Sequence, residues 1–320
     1  MYTFDYLKPQ TLQEALHLLD QHRGKARLVA GGTDVMVMIK KGEMSPEVLV
    51  SLRGISGIDC IHDDSGALRI GAMVTHRAVE KSERIRKEYS ALSDAVDVLG
   101  TVQIRNVATV AGNICTAAPS ADTATPLLVL GARVKTVGLK GERFIPIEAF
   151  FKGAGETVLK DGEILTELVV PKPLPHTGSA YWKHKRRGAL DLPMLGLSVL
   201  LSLNTDIISC VDLIRGCSPV SSVLRALEKD ELICNEVRIA LGVAAPTPVR
   251  TFKAESLLRG RKISDGLLDE VAKTASEEAH PRDSIRGEAW YRKEMVKVFV
   301  KRMAVTCIAR VAQGGQDSDP

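Results

Sequence analysis

One short stretch, Leu28-Val-Ala-Gly-Gly-Thr-Asp-Val35, limits what this chain can fold into. Leu28 to Ala30 read as a buried strand that stops at two glycines. Gly31 and Gly32 free the backbone to take positive φ angles and to approach a ligand with no side chain between. Consecutive N–H groups in such a turn form a concavity that suits an anion. Thr33 can offer a hydroxyl to a phosphate or cap the segment that follows, and Asp34 can accept from a ribose or from its own turn. Taken alone, Gly-Gly-Thr-Asp is a tight strand-to-helix turn. A second glycine turn, Thr109-Val-Ala-Gly-Asn113, repeats the chemistry after another apolar strand. Two such turns can grip one extended ligand from two sides.

A chain of 320 residues can bury a large core and divide into two or three domains. With 45% hydrophobic and 26% charged residues it has the composition of a soluble globular protein. A net charge of +4 gives no general argument for nucleic acid. Met1 to Gln10 holds Asp5, Lys8 and Pro9 where a signal peptide needs an apolar core. The longest apolar run, Leu192 to Leu203, is too short for a membrane span and is broken by Pro193 and Gly196. A cytoplasmic location is expected. The six cysteines, at 60, 115, 210, 217, 234 and 307, contain no C-x-x-C and no tight cluster. That spacing argues against a zinc ribbon or a ferredoxin-like cluster within this chain. Cys115 stands apart because it follows the second glycine turn.

Thr11-Leu-Gln-Glu14 is a capping-box pattern opening a helix with Leu12, Ala15, Leu16 and Leu19 on one face. Gly24 ends it before the Leu28 strand, and Val35 to Lys41 is either helical or extended. Val48 to Leu52 is the next strand. With no third glycine and no clean βαβ continuation, a Rossmann fingerprint fits poorly. Ala67 to Met73 reads as a strand, Thr75 as a helix cap, and Ile85 to Leu99 as one helix. Thr101 to Asp122 is turn-rich, Ala121 to Leu130 helical and Ala132 to Val137 extended. Gly162 to Val170 alternates like an edge or half-buried strand. The segment from Pro171 to Gly178 is the internal boundary. Beyond it, Leu195 to Leu203 and Ile207 to Ile214 read as paired strands around Asn204-Thr-Asp206, and Val237 to Ala244 as a third. Three helical patterns follow, Phe252 to Leu258, Leu267 to Ala279 and Trp290 to Val311. Strands followed by helices predict an α+β domain, an antiparallel sheet covered on one side.

Several separated motifs now resemble one family over almost the whole chain. Val29-Ala-Gly-Gly-Thr-Asp34, Gln103-Ile-Arg-Asn-Val-Ala-Thr-Val-Ala-Gly-Asn113 and Ala118-Pro-Ser-Ala-Asp122 resemble the FAD-binding, or medium, subunit of molybdenum hydroxylases. Xanthine dehydrogenases, carbon monoxide dehydrogenase and 4-hydroxybenzoyl-CoA reductase belong to that group. Tyr181-Trp-Lys183 with Arg186, Arg187 and Asp191, then Gly242 to Arg250 and Ile285 to Arg292, resemble its C-terminal module.

The resemblance implies an α+β fold of the vanillyl-alcohol-oxidase/cresol-methylhydroxylase type. It places FAD-binding subdomains at 1–57 and 58–175, the C-terminal domain at 176–312, and a flexible tail at 313–320. It implies cofactor contacts from Leu28, Val29, Ala30, Gly31, Gly32, Thr33, Asp34 and Val35, and from Thr109, Ala111, Gly112, Asn113 and Cys115. Asp122, Leu165 and Lys183 complete the implied set. Ala111 stands where the family usually has glycine, and its methyl is tolerated only if φ there is negative and some clearance to the ligand remains. Asp122 resembles the carboxylate on the adenosine part of FAD, and is otherwise a helix N-cap. Leu165 resembles an apolar residue lining the cofactor. Lys183 resembles the lysine near the isoalloxazine, where a cation stabilises an anionic reduced flavin; it reads equally as part of a solvated basic stretch.

The function this implies is electron transfer. A large molybdopterin subunit carries the substrate chemistry, a small subunit carries [2Fe-2S] clusters, and FAD on this chain passes electrons to NAD, a quinone or a carrier protein. A heterotrimer, or its dimer, is the implied assembly. No catalytic nucleophile, triad or metal site is then needed, and the seven scattered histidines show no ligand spacing. Cys115 is followed by Thr-Ala-Ala-Pro with no cysteine-rich insertion, so FAD is expected as the only cofactor here. A stand-alone flavin oxidase of the same fold would need its own base near the flavin, and none is evident. A nucleic-acid module built on Lys183-His-Lys-Arg-Arg187 would rest on one short basic run in a chain with only 4% aromatics.

Overall fold

The computed structural model describes residues 3–188, 190–204 and 232–314. Two compact units are formed. The first comprises Met1–Lys81, Gly100–Ala118 and Gly131–Lys172, the second Ser82–Leu99, Pro119–Leu130 and Pro173–Pro320.

Strand β1 (Asp5–Leu7) leads into α1 (Leu12–Gln21), opened by the Thr11 hydroxyl accepting from Glu14 N at 3.1 Å. After β2 (Ala26–Val29) the chain turns into α2 (Val35–Lys41), a helix rather than an extended segment, stopped by Gly42 at φ +75°. Strand β3 (Val48–Ser51) inserts between the other two, giving a parallel sheet of order β1-β3-β2. Val29, Leu49 and Ile39 of α2 pack together with Phe4 and Met36 beside them.

The antiparallel part of the first unit begins with β4 (Ile61–Asp64) and β5 (Ala67–Gly71). Helix α3 (His76–Lys81) follows, with the Thr75 hydroxyl accepting from Ala78 N. One helix was expected over Ile85 to Leu99, but the chain forms two, α4 (Glu83–Glu88) and α5 (Ser90–Asp97). They break at Tyr89, whose backbone leaves the helical region and whose ring is fully buried at the joint. The turn-rich segment resolves into α6 (Val102–Arg105) and α7 (Val110–Thr116) of the first unit, and α8 (Ala124–Val129), which like α4 and α5 belongs to the second unit, comes next. Strands β6 (Arg133–Gly138) and β7 (Gly141–Pro146), the short pair β8 (Phe151–Gly153) and β9 (Glu156–Thr157), and β10 (Ile164–Pro171) complete this stretch. The five-stranded sheet runs β4-β5-β10-β6-β7. Read as an edge or half-buried strand, β10 is instead central, paired on one side with β5 and on the other with β6.

The second unit carries β11 (Thr177–His184), β12 (Leu195–Leu203), β13 (Cys234–Gly242) and β14 (Val249–Arg250) in one antiparallel sheet. Helices α9 (Phe252–Leu258), α10 (Asp265–Glu278) and α11 (Ala289–Gly314) follow close to their expected spans. All nine residues of β12 are buried, so both faces of the strand are covered. Leu197, Val199 and Leu201 join the core built with α10 and α11. The alternate residue Ser198 donates to Thr125 of α8 at 3.0 Å, and Tyr181 packs on Ala91 and Ala95 of α5. The expectation of a sheet covered on one side is therefore corrected: α5 and α8, drawn from the N-terminal half of the chain, close the second face. The expected strand Ile207 to Ile214 lies outside the described residues.

Candidate functional site

The first group of site residues is assembled from backbone. Leu28 and Val29 end β2, Ala30 to Asp34 form the turn, and Val35 begins α2. The two glycines do different work. Gly32 takes φ +79°, the conformation glycine is needed for. Gly31 keeps a negative φ, and its role is close approach: a Cβ there would strike the Val107 carbonyl oxygen and lie 2.9 Å from Ala108 Cα. This corrects the expectation that both take positive φ. It also explains how two motifs nearly eighty residues apart meet, since Val107 and Ala108 lead directly into Thr109.

The second motif is not a free turn but the start of α7. Thr109 is its N-cap, accepting from Gly112 N at 3.0 Å, and the Asn113 N–H reaches the Thr109 carbonyl. A Cβ at Gly112 would lie 2.9 Å from Thr109 Oγ1, so this glycine serves the cap. Ala111 sits in helix, outside the left-handed region, and its methyl is buried. The requirement of a negative φ for an alanine here is met. The His76 N–H donates to the Ala108 carbonyl and the Val110 N–H to the Val74 carbonyl, pinning the segment between α6 and α7 to the strand end before α3.

A side-chain latch joins the two motifs. The Thr116 hydroxyl, at the end of α7, donates to Asp34 Oδ2 at 2.8 Å. Asp34 makes no cap to α2. Among the described residues the N–H groups of Gly31, Gly32, Thr33 and Asp34 make no hydrogen bond. Four unmatched donors beside a threonine hydroxyl, with no side chain at two successive positions, form a donor set that fits a diphosphate. Cys115 lies in α7, and desolvation pushes its thiol up to about 12, so it stays protonated and unreactive at neutral pH. Leu165 is buried in β10 next to a break in register against β6.

The second group is built from side chains, within the other unit. Lys183 and Asp122 are 61 residues apart, yet Lys183 Nζ donates to Asp122 Oδ2 at 2.8 Å. The side chains are only 4% and 7% exposed. Tyr181 OH donates to Asp122 Oδ1 at 2.6 Å, and Lys183 Nζ also donates to the Val98 carbonyl at 3.3 Å. Every strong group in the cluster is thus partnered, which a buried ion pair requires. Burial pushes the Asp122 carboxyl above its ordinary value, while the Lys183 ammonium and the two hydrogen bonds act against that rise. Burial beside this carboxylate raises the Tyr181 phenol well above its usual range. The reading of Lys183 as part of a solvated stretch is overturned; Arg186 and Arg187 are the exposed members of the run. The N-cap reading of Asp122 also fails, because Thr123 holds that position and Asp122 turns to Tyr181 and Lys183.

Sequence reasoning missed Thr116 and Tyr181. Tyr181 had a signal: it lies two residues from Lys183 on a strand, so both point to one face. Thr116 had none, because the latch depends on a turn far away in sequence. No group of three or more His, Cys, Asp or Glu able to hold a metal occurs among the described residues. None of the described helices is long and apolar enough to cross a membrane.

Comparison with known proteins gives the arrangement its setting. Residues 2–173 match the family described as the FAD binding domain in molybdopterin dehydrogenase, and 179–306 match the CO dehydrogenase flavoprotein C-terminal domain. The chain is 30% identical to the xanthine dehydrogenase FAD-binding subunit of Escherichia coli O157:H7 over 315 residues, covering 97% of each chain. It is 28% identical to the carbon monoxide dehydrogenase medium chain of Hydrogenophaga pseudoflava, over 97% of this chain and 98% of that one. A solved structure of carbon monoxide dehydrogenase from Hydrogenophaga pseudoflava superposes with a TM-score of 0.85 at 27% identity, covering 96% of this chain and 98% of that chain. Quinoline 2-oxidoreductase from Pseudomonas putida 86 shares the fold, with a TM-score of 0.82 at 24% identity over 97% of this chain and 98% of that one. With a backbone donor set suited to a diphosphate and family matches along nearly its whole length, the chain belongs to the FAD-binding flavoprotein subunits of the molybdenum hydroxylases, an oxidoreductase family.

Proposed function

We propose that this chain is the electron-transfer subunit of a three-part molybdenum hydroxylase. A large molybdopterin subunit performs the substrate chemistry, and a small subunit carries [2Fe-2S] clusters. The assembly is a heterotrimer or its dimer. Bound FAD supplies the ability to exchange single electrons with clusters and electron pairs with an external acceptor such as NAD, a quinone or a carrier protein. In this reading residues 1–57 and 58–175 are the FAD-binding subdomains and 176–312 the C-terminal domain; the tail expected at 313–320 falls almost wholly outside the described residues. Cysteines 60, 115, 234 and 307 are free thiols, which supports a reducing compartment, the cytoplasm.

The chain's own residues have defined tasks. Gly31, Gly32, Thr33 and Asp34 present N–H donors to the diphosphate, and Thr116 holds the Asp34 carboxylate in place. Thr109 fixes the first turn of α7 beside them. Ala111, Asn113, Cys115 and Leu165 complete the cofactor surface in the first unit. In the second, Asp122 and Tyr181 orient the Lys183 ammonium as the cation assigned to a reduced flavin. The observation that carries the proposal is the backbone contact of Gly31 with Val107 and Ala108, which joins two separate motifs into one cradle.

The test is a cofactor and reduction assay. The full chain should release FAD on denaturation, and its native preparation should contain a molybdopterin subunit and an iron–sulfur subunit. The substrate of that complex should bleach the flavin absorbance only while all three subunits are present. A chain that holds no flavin under any condition, or one whose flavin is reduced by substrate with no partner present, would overturn this function.

A further inference from the structure

In the second unit, the loop between β11 and β12 is clasped to the loop between α10 and α11, and neither has a task in the function above. The clasp is Arg292, only 2% exposed. Its Nε donates to the Met194 carbonyl at 2.9 Å, its Nη2 to Ser284 Oγ at 2.6 Å and its Nη1 to the Arg282 carbonyl. Gly287 lets the loops close up, since a Cβ there would lie 3.3 Å from Met194 Sδ. Large apolar side chains are left in water on this face: Ile285 is 90% and Trp290 63% exposed, and Leu192 is exposed as well. Gathered apolar surface of this kind marks an interaction site. Arg186, Arg282 and Arg286 are exposed with it, and no carboxylate pairs with them among the described residues. The carboxylates of the two loops are turned onto the loops themselves. Asp191 accepts from the Arg186 and Arg187 N–H groups at 3.2 Å, Asp283 from Ala289 N at 2.6 Å, and Glu288 from the Trp290 indole. The face offered to solvent is therefore apolar and cationic.

We propose that this face docks an acidic one-electron carrier protein; the inference rests on the proposed function above and narrows its acceptor. The loop between β11 and β12 leaves its strand directly after Lys183, the cation assigned to the reduced flavin, and His184. A carrier seated there stands at the end of the strand that holds that cation. Unpaired arginines steer an acidic partner to the face and set its orientation. Trp290 and the arginines are the residue types that anchor protein contacts, and a face of two loops has the small size of a transient redox encounter. A lipid surface fits less well. The Glu288 carboxylate at the exposed indole is repelled by a uniformly anionic bilayer, whereas a folded carrier can set its own carboxylates opposite the arginines alone. Each carrier leaves with one electron, so two in turn take the pair held by one reduced flavin, and two protons go to water.

The probes are two haem proteins, cytochrome b5, which is acidic, and cytochrome c, which is basic. Each is titrated calorimetrically into the full chain, FAD-loaded and flavin-stripped, at about 50 mM and about 500 mM salt. The native chain should bind cytochrome b5 with or without FAD, lose about tenfold in affinity at the higher salt, and bind cytochrome c about tenfold more weakly. Arg186→Glu combined with Arg286→Glu should weaken cytochrome b5 binding about tenfold and abolish its salt dependence. Ile285→Ser should weaken it about threefold and keep the salt dependence. The FAD-loaded, photoreduced double variant should reduce cytochrome b5 more slowly than the native chain does, and menadione, a small neutral quinone, at the native rate. Equal affinity for the two cytochromes, or a double variant that binds and reduces cytochrome b5 as the native chain does, would overturn the docking assignment. So would native chain that sediments with phosphatidylglycerol vesicles and ignores cytochrome b5, which would give the face to lipid. A chain that holds no FAD, or whose photoreduced form reduces neither menadione nor cytochrome b5, would instead overturn the electron-transfer reading beneath it.

Discussion

The two groups of site residues solve the same problem with opposite materials. The cradle around Gly31 and Thr109 is made of main chain, and its key contact exists because a side chain is missing. The cluster of Asp122, Tyr181 and Lys183 is made of side chains buried from water and dependent on one another. A cradle of N–H groups keeps its polarity whatever the pH and tolerates no added bulk. A buried ion pair tolerates replacement of both partners but not of one.

Substitutions that separate these behaviours test the contrast. The largest effect should come from Lys183→Met, which leaves Asp122 buried beside an apolar chain. A loss of about 3–5 kcal/mol is expected in urea unfolding. Adding Asp122→Leu should restore much of it, and a double variant no more stable than the single one would break the comparison. Gly31→Ala should cost about 3 kcal/mol by overpacking against backbone. No companion change at Val107 should rescue it, because the obstacle is a carbonyl; recovery by Val107→Ala or Val107→Gly in thermal melts would contradict that.

The cradle should nevertheless have one pH-sensitive support. His76 is 1% exposed, its Nδ1 has no partner, and burial, with the Arg105 charge adding to it, lowers its pKa to about 4. The folded state therefore takes up a proton less readily than the unfolded chain. The His76 contribution is fully present above pH 6.5 and is lost as pH falls from 6.5 towards 4, a decline of about 3 kcal/mol. Urea midpoints of the native chain and of His76→Gln at pH 7 and pH 4.5 check this: the variant should show the smaller fall. The smallest expected effect is that of Thr116→Val, which removes the latch to Asp34. It should cost about 1 kcal/mol and speed flavin loss on gel filtration; an unchanged release rate would remove the latch from the site.

The parts visible in the sequence were those set by local rules. Thr11 and Thr75 cap helices, as hydroxyls before apolar periodic segments do; the Thr109 cap was not legible, because its glycine read as a turn. The three C-terminal helices follow from their spacing. The break at Tyr89 was hidden, because the local pattern continues through it and only burial of the ring interrupts the helix. Gly31 and Gly32 look alike in sequence; what tells them apart is the Val107 carbonyl, brought in by the fold. The pairing of Asp122 with Lys183 was equally hidden, since each residue has a plausible local role that only the covering of the sheet's second face removes.

That covering has a consequence for how such a protein can be inherited. The two family matches meet between residues 173 and 179, yet helices α5 and α8, encoded upstream of that seam, belong to the unit downstream of it. Ser198 is bonded to Thr125, and the Ser90 hydroxyl donates to the Ser179 carbonyl at 2.6 Å. A recombination crossover at the seam would hand the recipient a sheet fitted to another lineage's helices. A crossover that carries residues 82–99 and 119–130 along with the C-terminal module keeps these bonds intact, and one placed at the seam exchanges only one side of each.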